Sequence, residues 1–205
     1  MNAIPNSPNI EFIYNPLGVR VAKIEKPRSS GTVVSSDQWT VTYYSYDANG
    51  QLMATYDSEL YDGSSKKTTL EERYIYGSDR IGVNTASVTM YDGGVPPTPT
   101  KDIYNNALGN KRYELTNHLG NVLATISDRK VYNSTDQVYE PVVTMKADYY
   151  AFGMVQPDRS SGLGETRHLF NGMEADAEVS GEGNSYTTQF RQYDPRLGRW
   201  KSLDP

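Results

Sequence analysis

The sequence predicts an all-β chain built from antiparallel hairpins. Three observations carry this. First, the chain is 205 residues long, and its main large side chain is tyrosine: 17 Tyr against 4 Phe and 2 Trp. Second, turn residues recur along its whole length, while no segment holds a long helical period. Third, the segments between turns alternate in the two-residue period of a strand, and they are rich in Tyr, Thr, Val and Ile, which fit a pleated surface.

The turns share one pattern: an aromatic or polar residue, then Asn or Asp, a short spacer, and Gly. It reads Tyr14-Asn15-Pro16-Leu17-Gly18, then Tyr46-Asp47-Ala48-Asn49-Gly50. It recurs at Tyr104 to Gly109, at Thr116-Asn117-His118-Leu119-Gly120 and at Tyr193-Asp194-Pro195-Arg196-Leu197-Gly198. The chemistry is local. Asn15, Asp47, Asn117 and Asp194 are placed to bond their own backbone, proline presets φ, and glycine takes the positive φ that closes the turn. Asn49-Gly50 between alternating strands is a hairpin signal.

Strands are expected on both sides of these turns. Val19 to Ile24 follows Gly18, Trp39 to Tyr46 precedes Asp47, Leu52 to Tyr56 follows Gly50, and Val122 to Ile126 follows Gly120. Tyrosines fall on both faces of 39–46, which predicts a sheet only partly covered on each side. Residues 26–37, 91–100, 158–165 and 175–184 are rich in Gly, Pro, Ser or charge and are expected to be loops. One continuous sheet with spaced insertions is the expectation.

Composition excludes several classes. Leu, Ile, Val and Phe make up only 39 residues, near the level where chains become disordered. The net charge of −5 is small and the aromatic content is high, so the chain is read as folded. With no cysteine there is neither a disulfide framework nor a thiolate metal site. No apolar run of membrane-spanning length exists, and residues 1–12 do not form a signal peptide. Neither half is basic, so no nucleic acid is implied.

No residue set reads as a cofactor or metal site. His118 and His168 lie fifty positions apart without ligand spacing. Gly162 to Arg167 lacks the third glycine of a dinucleotide loop. Asn133-Ser134-Thr135 fits a glycosylation sequon that chance also supplies. Asp57, Glu59 and Asp62-Gly63 do not match a calcium loop.

Four motifs, in order, resemble the core associated with RHS (rearrangement hotspot) repeats, and the tyrosine turns resemble its YD repeats. The motifs are Tyr113 to Val122, including His118; Asp148-Tyr149-Tyr150-Ala151-Phe152-Gly153-Met154; Phe170-Asn171-Gly172-Met173-Glu174; and Tyr193 to Trp200, including Arg199, which runs on to Leu203-Asp204-Pro205. The likeness covers residues 11–205 and is strongest over 113–205, with residues 1–10 as a flexible lead-in. It implies a strip of hairpins that curves into a hollow shell, enclosing or presenting a C-terminal effector. It places the chain in a larger secreted or cell-surface bacterial protein, with toxins used between bacteria as one setting. Implied partners are a C-terminal toxin or downstream core segment, and neighbouring shell strands or further copies meeting at open sheet edges.

The resemblance also implies self-cleavage by two aspartates. Asp204 resembles the first, and no second is found in this chain. Aspartic chemistry needs two carboxylates sharing a proton, so no proteolysis by this chain alone is expected. A binding module for cell-surface glycans or a receptor is the second reading, and it requires a contiguous exposed Tyr or Trp patch. A remnant of an autoproteolytic aspartyl core is the third.

Overall fold

The computed structural model describes residues 7–61, 64–93, 107–188 and 190–203. In chain order the strands are β1 (Asn9–Tyr14), β2 (Arg20–Lys26), β3 (Arg28–Ser29), β4 (Thr32–Val33), β5 (Thr40–Tyr46), β6 (Leu52–Tyr61), β7 (Ser64–Tyr76), β8 (Arg80–Asn84) and β9 (Val88–Asp92). They continue as β10 (Lys111–Thr116), β11 (Val122–Asn133), β12 (Val138–Lys146), β13 (Glu174–Ala175), β14 (Tyr186–Thr187), β15 (Gln192–Asp194) and β16 (Arg199–Trp200). The fold is all-β and antiparallel, as the turn spacing and alternation require. No helix among the described residues is long and apolar enough to cross a membrane.

The chain divides into two compact units. The first comprises Met1–Tyr74 and Thr85–Asn106. Its strands run in the order β1, β2, β5, β6 and then β7, with β9 on β7 as well. Both faces of β5 are covered at its centre, more than the tyrosine pattern predicts: Val41 and Thr42 are neighbours on opposite faces, and both are buried. The polar side chains Thr42, Thr55 and Ser58 are buried alongside Ala22, Ala54 and Leu70. Arg20 is buried between the rings of Phe12 and Tyr44, at 5.1 and 4.7 Å from their centroids. This cation–π sandwich ties β1, β2 and β5 together.

The second unit comprises Ile75–Asn84 and Ala107–Pro205. Here β8, β10, β11 and β12 pair in that order, and β13 to β16 form a separate four-stranded sheet. Val122, Met145, Ala147, Val155, Leu169 and Tyr186 make its core.

Three hairpins are built to one plan. At Asn15, Asp47 and Asn117 the side-chain oxygen accepts from the amides two and four residues ahead, at 2.8–3.0 Å. The residue's own amide donates to the carbonyl four ahead, and the turn glycine's amide donates back to it. Beyond each turn the register slips by one residue, where Tyr14 pairs Arg20 but Ile13 pairs Ala22. The same slip recurs at Ser45/Tyr46 and at Leu115/Thr116, and each time an alanine follows it: Ala22, Ala54 and Ala124. Such bulges increase local twist and bend the strand.

Three expectations need correction. Residues 26–37 are not a plain loop, because β3 and β4 pair as a miniature hairpin and a 3₁₀ turn follows at Ser36–Gln38. The large sheet runs from β1 to β12 as expected, but it does not take in β13 to β16, because the segment between β12 and β13 carries three 3₁₀ turns and positive φ at Gly153, Gly162, Asn171 and Gly172, which no strand accommodates. Asn9 and Ile10, expected in the lead-in, already pair with Lys26 and Glu25. Of the remaining lead-in, residues 1–6 lie outside the described residues, as do Tyr104 and residues 94–100.

Gly50 and Gly153 separate backbone from packing effects. Both have positive φ, +82° and +90°. A Cβ at Gly50 would meet nothing within 4 Å, whereas at Gly153 it would collide with the Phe170 ring. Gly50→Ala is expected to cost about 1–2 kcal/mol from its left-handed backbone alone. Gly153→Ala is expected to cost roughly 3 kcal/mol or more, since overpacking adds to that strain. Urea unfolding of the two variants checks the difference, and equal losses would refute it.

Candidate functional site

The four C-terminal motifs, far apart in sequence, meet in the second unit. The Tyr149 hydroxyl donates to the Val122 carbonyl at 2.6 Å. Asn121 Oδ1 accepts from the Asn171 amide at 2.9 Å, and the Val122 amide donates to the Leu169 carbonyl at 3.1 Å. The Tyr193 hydroxyl donates to the Phe152 carbonyl at 3.0 Å. These bonds join the first motif to the second and third, and the second to the fourth.

Phe170 sits at the centre of the join. Its ring lies 5.8 Å from Tyr149, 6.1 Å from Tyr186 and 6.4 Å from Tyr193 between centroids. Tyr193 in turn lies 5.1 Å from Trp200, whose other neighbour is the Arg191 guanidinium at 4.3 Å. Gly153 has no side chain because the Phe170 ring occupies that space. Asn171 and Gly172 both take positive φ, +51° and +65°, and so turn the chain sharply beside Phe170.

Tyr186 is fully buried, and its hydroxyl donates to the Gly153 carbonyl at 2.9 Å. Burial pushes the Tyr149 and Tyr186 hydroxyls well above the ordinary tyrosine range, and it raises Tyr193 as well. Each therefore remains a protonated donor to a backbone carbonyl.

Three of the site's carboxylates face arginines. Arg80 Nε reaches both oxygens of the buried Glu114 carboxylate at 3.1 Å, and its Nη2 reaches the Gly172 carbonyl at 3.5 Å. Arg167 pairs with Glu174 at 3.3 Å. Asp194 accepts from the Arg196 amide and from the fork of its guanidinium, at 3.0, 3.0 and 2.6 Å. The Arg196 hydrogen bond holds the Asp194 carboxyl below the usual carboxylate range. A carboxylate clamped in this way stays ionised, which suits anchoring. A general acid needs the opposite shift, upward through burial or a neighbouring like charge. Lys201 anchors the chain after β16, its amide bonding Gln192 and its Nζ bonding Ser185 Oγ at 3.0 Å.

The remaining sequence candidates are dispersed. Gly18, Gly109, Gly120 and Gly198 have φ of +77°, +102°, +80° and +62°. Gly109 departs from the common plan, its amide donating to Asp128 across the hairpin. His118, Tyr150, Phe152, Arg199 and Trp200 are exposed. His168 is buried. Asp57 accepts from the Thr42 hydroxyl on the neighbouring strand, and residues 163–165 form a 3₁₀ turn. No cluster of His, Cys, Asp and Glu among the described residues is placed to hold a metal. Asp204 lies outside the described residues.

Sequence reasoning missed Arg80 and Tyr186 as members of this site. Neither lies in a motif, and only the fold brings them to Glu114 and Gly153. Glu114, Asn121 and Phe170 stand inside quoted motifs, yet nothing local marks them as contacts.

No family model matches the chain, and no curated protein matches it. Solved structures do. Over its full length the chain is similar to the crystal structure of TcdB2-TccC3-TEV, with 17% identity and a TM-score of 0.55, covering 8% of that chain. It is similar at 16% identity and a TM-score of 0.44 to TcdB2-TccC3 without its hypervariable C-terminal region, over 97% of this chain and 9% of that one. A Tc holotoxin pore of Photorhabdus luminescens with a mutation in TccC3 is matched at 15% identity and a TM-score of 0.44, over 96% of this chain and 9% of that one. The chain spans less than a tenth of each of these solved chains. At this identity the likeness is one of fold: the chain shares the fold of the matched portion of TcdB2-TccC3-TEV.

Two predictions follow from the geometry of the join. Tyr149→Phe keeps the ring and removes the donor to Val122, and it is expected to cost about 1–3 kcal/mol in urea unfolding. Amide exchange should quicken around residues 117–122 and 150–153, and an unchanged exchange pattern would refute the tie. The second concerns acid. Because the folded pKa of Asp194 is depressed, its contribution is complete above about pH 4, the unfolded value, and is lost as pH falls through the folded value. Asp194→Asn should therefore be less stable than the parent at about pH 7, and the gap should close as pH falls below the depressed folded value. A gap independent of pH would contradict the Arg196 pairing as its cause.

Proposed function

We propose that the chain is a wall segment of an RHS-type shell, serving to enclose or present a C-terminal effector. The observation that carries this reading is the join of the four motifs through Tyr149, Asn121 and Tyr193 around Phe170. Every group in it is spent on holding turns to one another. The sheet of the first unit buries polar and apolar side chains alike and leaves other apolar ones exposed, which suits a wall with no single dry face. Residues 11–205 act as one core segment of that wall, within a larger secreted or surface-exposed bacterial protein. Its partners are the downstream segment and neighbouring strands that pair at open edges.

The chain is not a protease on its own in this reading. Asp194 is committed to Arg196 and Glu114 to Arg80, so neither offers Asp204 the shared proton that aspartic chemistry requires.

The test uses the chain expressed with the reading frame that flanks it. The downstream segment should resist added protease while the wall is folded, and become digestible when Gly153→Val breaks it. Equal digestion of both forms would overturn the enclosing role. In a parallel arm, the 205-residue chain should leave a supplied downstream segment uncut. Cutting that Asp204→Asn stops would replace the structural reading with an aspartyl one.

A further inference from the structure

The hairpin of β11 and β12 runs on past the sheet that carries it. β10 pairs with β11 only as far as Ser127, opposite Arg112. Pairing between β11 and β12 continues beyond, through Lys130–Pro141, Val131–Glu140, Tyr132–Tyr139 and Asn133–Val138. Between the two stretches β11 advances from Ile126 to Lys130 while β12 advances only from Val143 to Pro141. Extra residues in one strand make a bulge, and a bulge bends and re-aims the strand it interrupts. Beyond it the hairpin is a two-stranded ribbon.

The ribbon is pinned at its base and at its tip. At the base the Gly109 amide donates to the Asp128 carboxylate at 2.6 Å, and Arg129 Nε donates to the Leu108 carbonyl at 3.1 Å. The Arg129 guanidinium fills the space a side chain at position 109 would need. At the tip Asn133 Oδ1 accepts from the Thr135 amide at 2.9 Å, and its Nδ2 donates to Asp136 and Glu140 at 3.0 and 2.8 Å. Between these anchors both faces carry exposed apolar groups. Directly opposed residues share a face. Tyr132 and Tyr139, 53% and 62% exposed with ring centroids 5.3 Å apart, take one. Val131 and Val138, 59% and 48% exposed, take the other. Apolar side chains scattered singly on a surface need no explanation. Four on one ribbon differ, because a two-stranded hairpin without cover is marginal in water.

The arrangement narrows what covers it. A sugar or a flat surface would cover one face and leave the other wet. A bilayer would receive the tip, and the tip, Ser134-Thr135-Asp136-Gln137, is polar. An added strand needs an unbroken edge, whereas β12 carries Pro141, which has no amide to donate, and β11 is bulged. A protein cleft with two apolar walls covers both faces at once. We infer that the ribbon is a preformed arm that inserts into such a cleft elsewhere in the larger polypeptide. Lys130, 4.3 Å from the Tyr139 centroid, pairs with no carboxylate among the described residues, so an acidic side chain at the mouth of the cleft complements it. An arm already held at both ends loses little conformational freedom on insertion. The inference rests on the proposed reading of the chain as one segment of a larger protein, and adds the contact by which this segment is held.

Hydroxyl-radical footprinting read by mass spectrometry tests it on two proteins, the 205-residue chain and the protein of the full reading frame. Oxidation of Tyr132 and Tyr139 should fall about fivefold or more in the full protein, as side chains more than half exposed become buried like core residues. Val131→Asp with Val138→Asp then places charge on the opposite face. These valines are exposed in the chain, so its circular dichroism spectrum should not change. In the full protein the charges should expel the ribbon and return both tyrosines to the oxidation seen in the chain alone. Equal oxidation of the tyrosines in the two parent proteins would overturn the inference. So would tyrosine protection that survives the double Asp variant, since only one face would then be covered. Digestion of the downstream segment bears on the shell reading alone: a protected segment with freely oxidised tyrosines would overturn the arm and leave the shell.

Discussion

The structure depends on one interaction, a tyrosine hydroxyl that opens one turn and bonds a backbone carbonyl of an earlier turn or just beyond it. Tyr46 precedes the Asp47 turn and donates to the Arg20 carbonyl, five residues past Asn15, at 2.9 Å. Tyr149 precedes the turn at Tyr150 and donates to the Val122 carbonyl, five residues past Asn117. The two bonds occupy equivalent places in their repeats. Tyr193 does the same work at a shifted position, reaching Phe152 inside an earlier turn. A hairpin by itself is marginal in water, and its turn is its least buried part. Tying these three turns to earlier parts of the chain makes marginal units cooperative.

This tie accounts for the need for rigid turns. A hydroxyl meets a carbonyl only if the turn that carries the ring is fixed. The side chains of Asn15, Asp47 and Asn117 provide that rigidity with two backbone bonds each. The turn at Tyr150 keeps the same backbone bonds, Tyr150 amide to Met154 carbonyl and Gly153 amide to Tyr150 carbonyl, but has no Asn or Asp at its head. Its rigidity comes from the Phe170 ring seated on Gly153. Local hydrogen bonding and tertiary packing thus substitute for each other at equivalent positions.

What was legible in the sequence follows from that division. The turns could be read because their chemistry is local: Asn15 and Gly18 are three residues apart and complete the motif between them. The strands beside them were visible for the same reason. β3 and β4 escaped because two residues are too few to show alternation, and Pro27, Gly31 and the serines around them resemble any loop. The separate sheet β13 to β16 was hidden likewise. Arg80 could not be assigned to Glu114, because a side chain thirty-four residues away leaves no trace in local pattern. Asn171 was quoted as part of a motif, while its bond to Asn121 spans fifty positions and appears only when the chain is folded.

The composition has a physical account in these terms. The sheet buries Thr42, Thr55 and Ser58 beside Ala22, Ala54 and Leu70, so much of its covered area goes to small and polar side chains and little is left for large aliphatic ones. It does need a side chain that covers area with one end and bonds with the other. Tyrosine does both with few rotatable bonds to order. Phenylalanine would supply the area but leave the carbonyls of Arg20, Val122, Gly153 and Phe152 without their donors. Serine could supply a donor, yet it would not span the distance between turns. The buried hydroxyls of Tyr149 and Tyr186, pushed away from ionisation by desolvation, keep donating across the alkaline range in which an exposed tyrosine would lose its proton. The preference for Tyr over Phe at these positions is therefore set by the ties between turns.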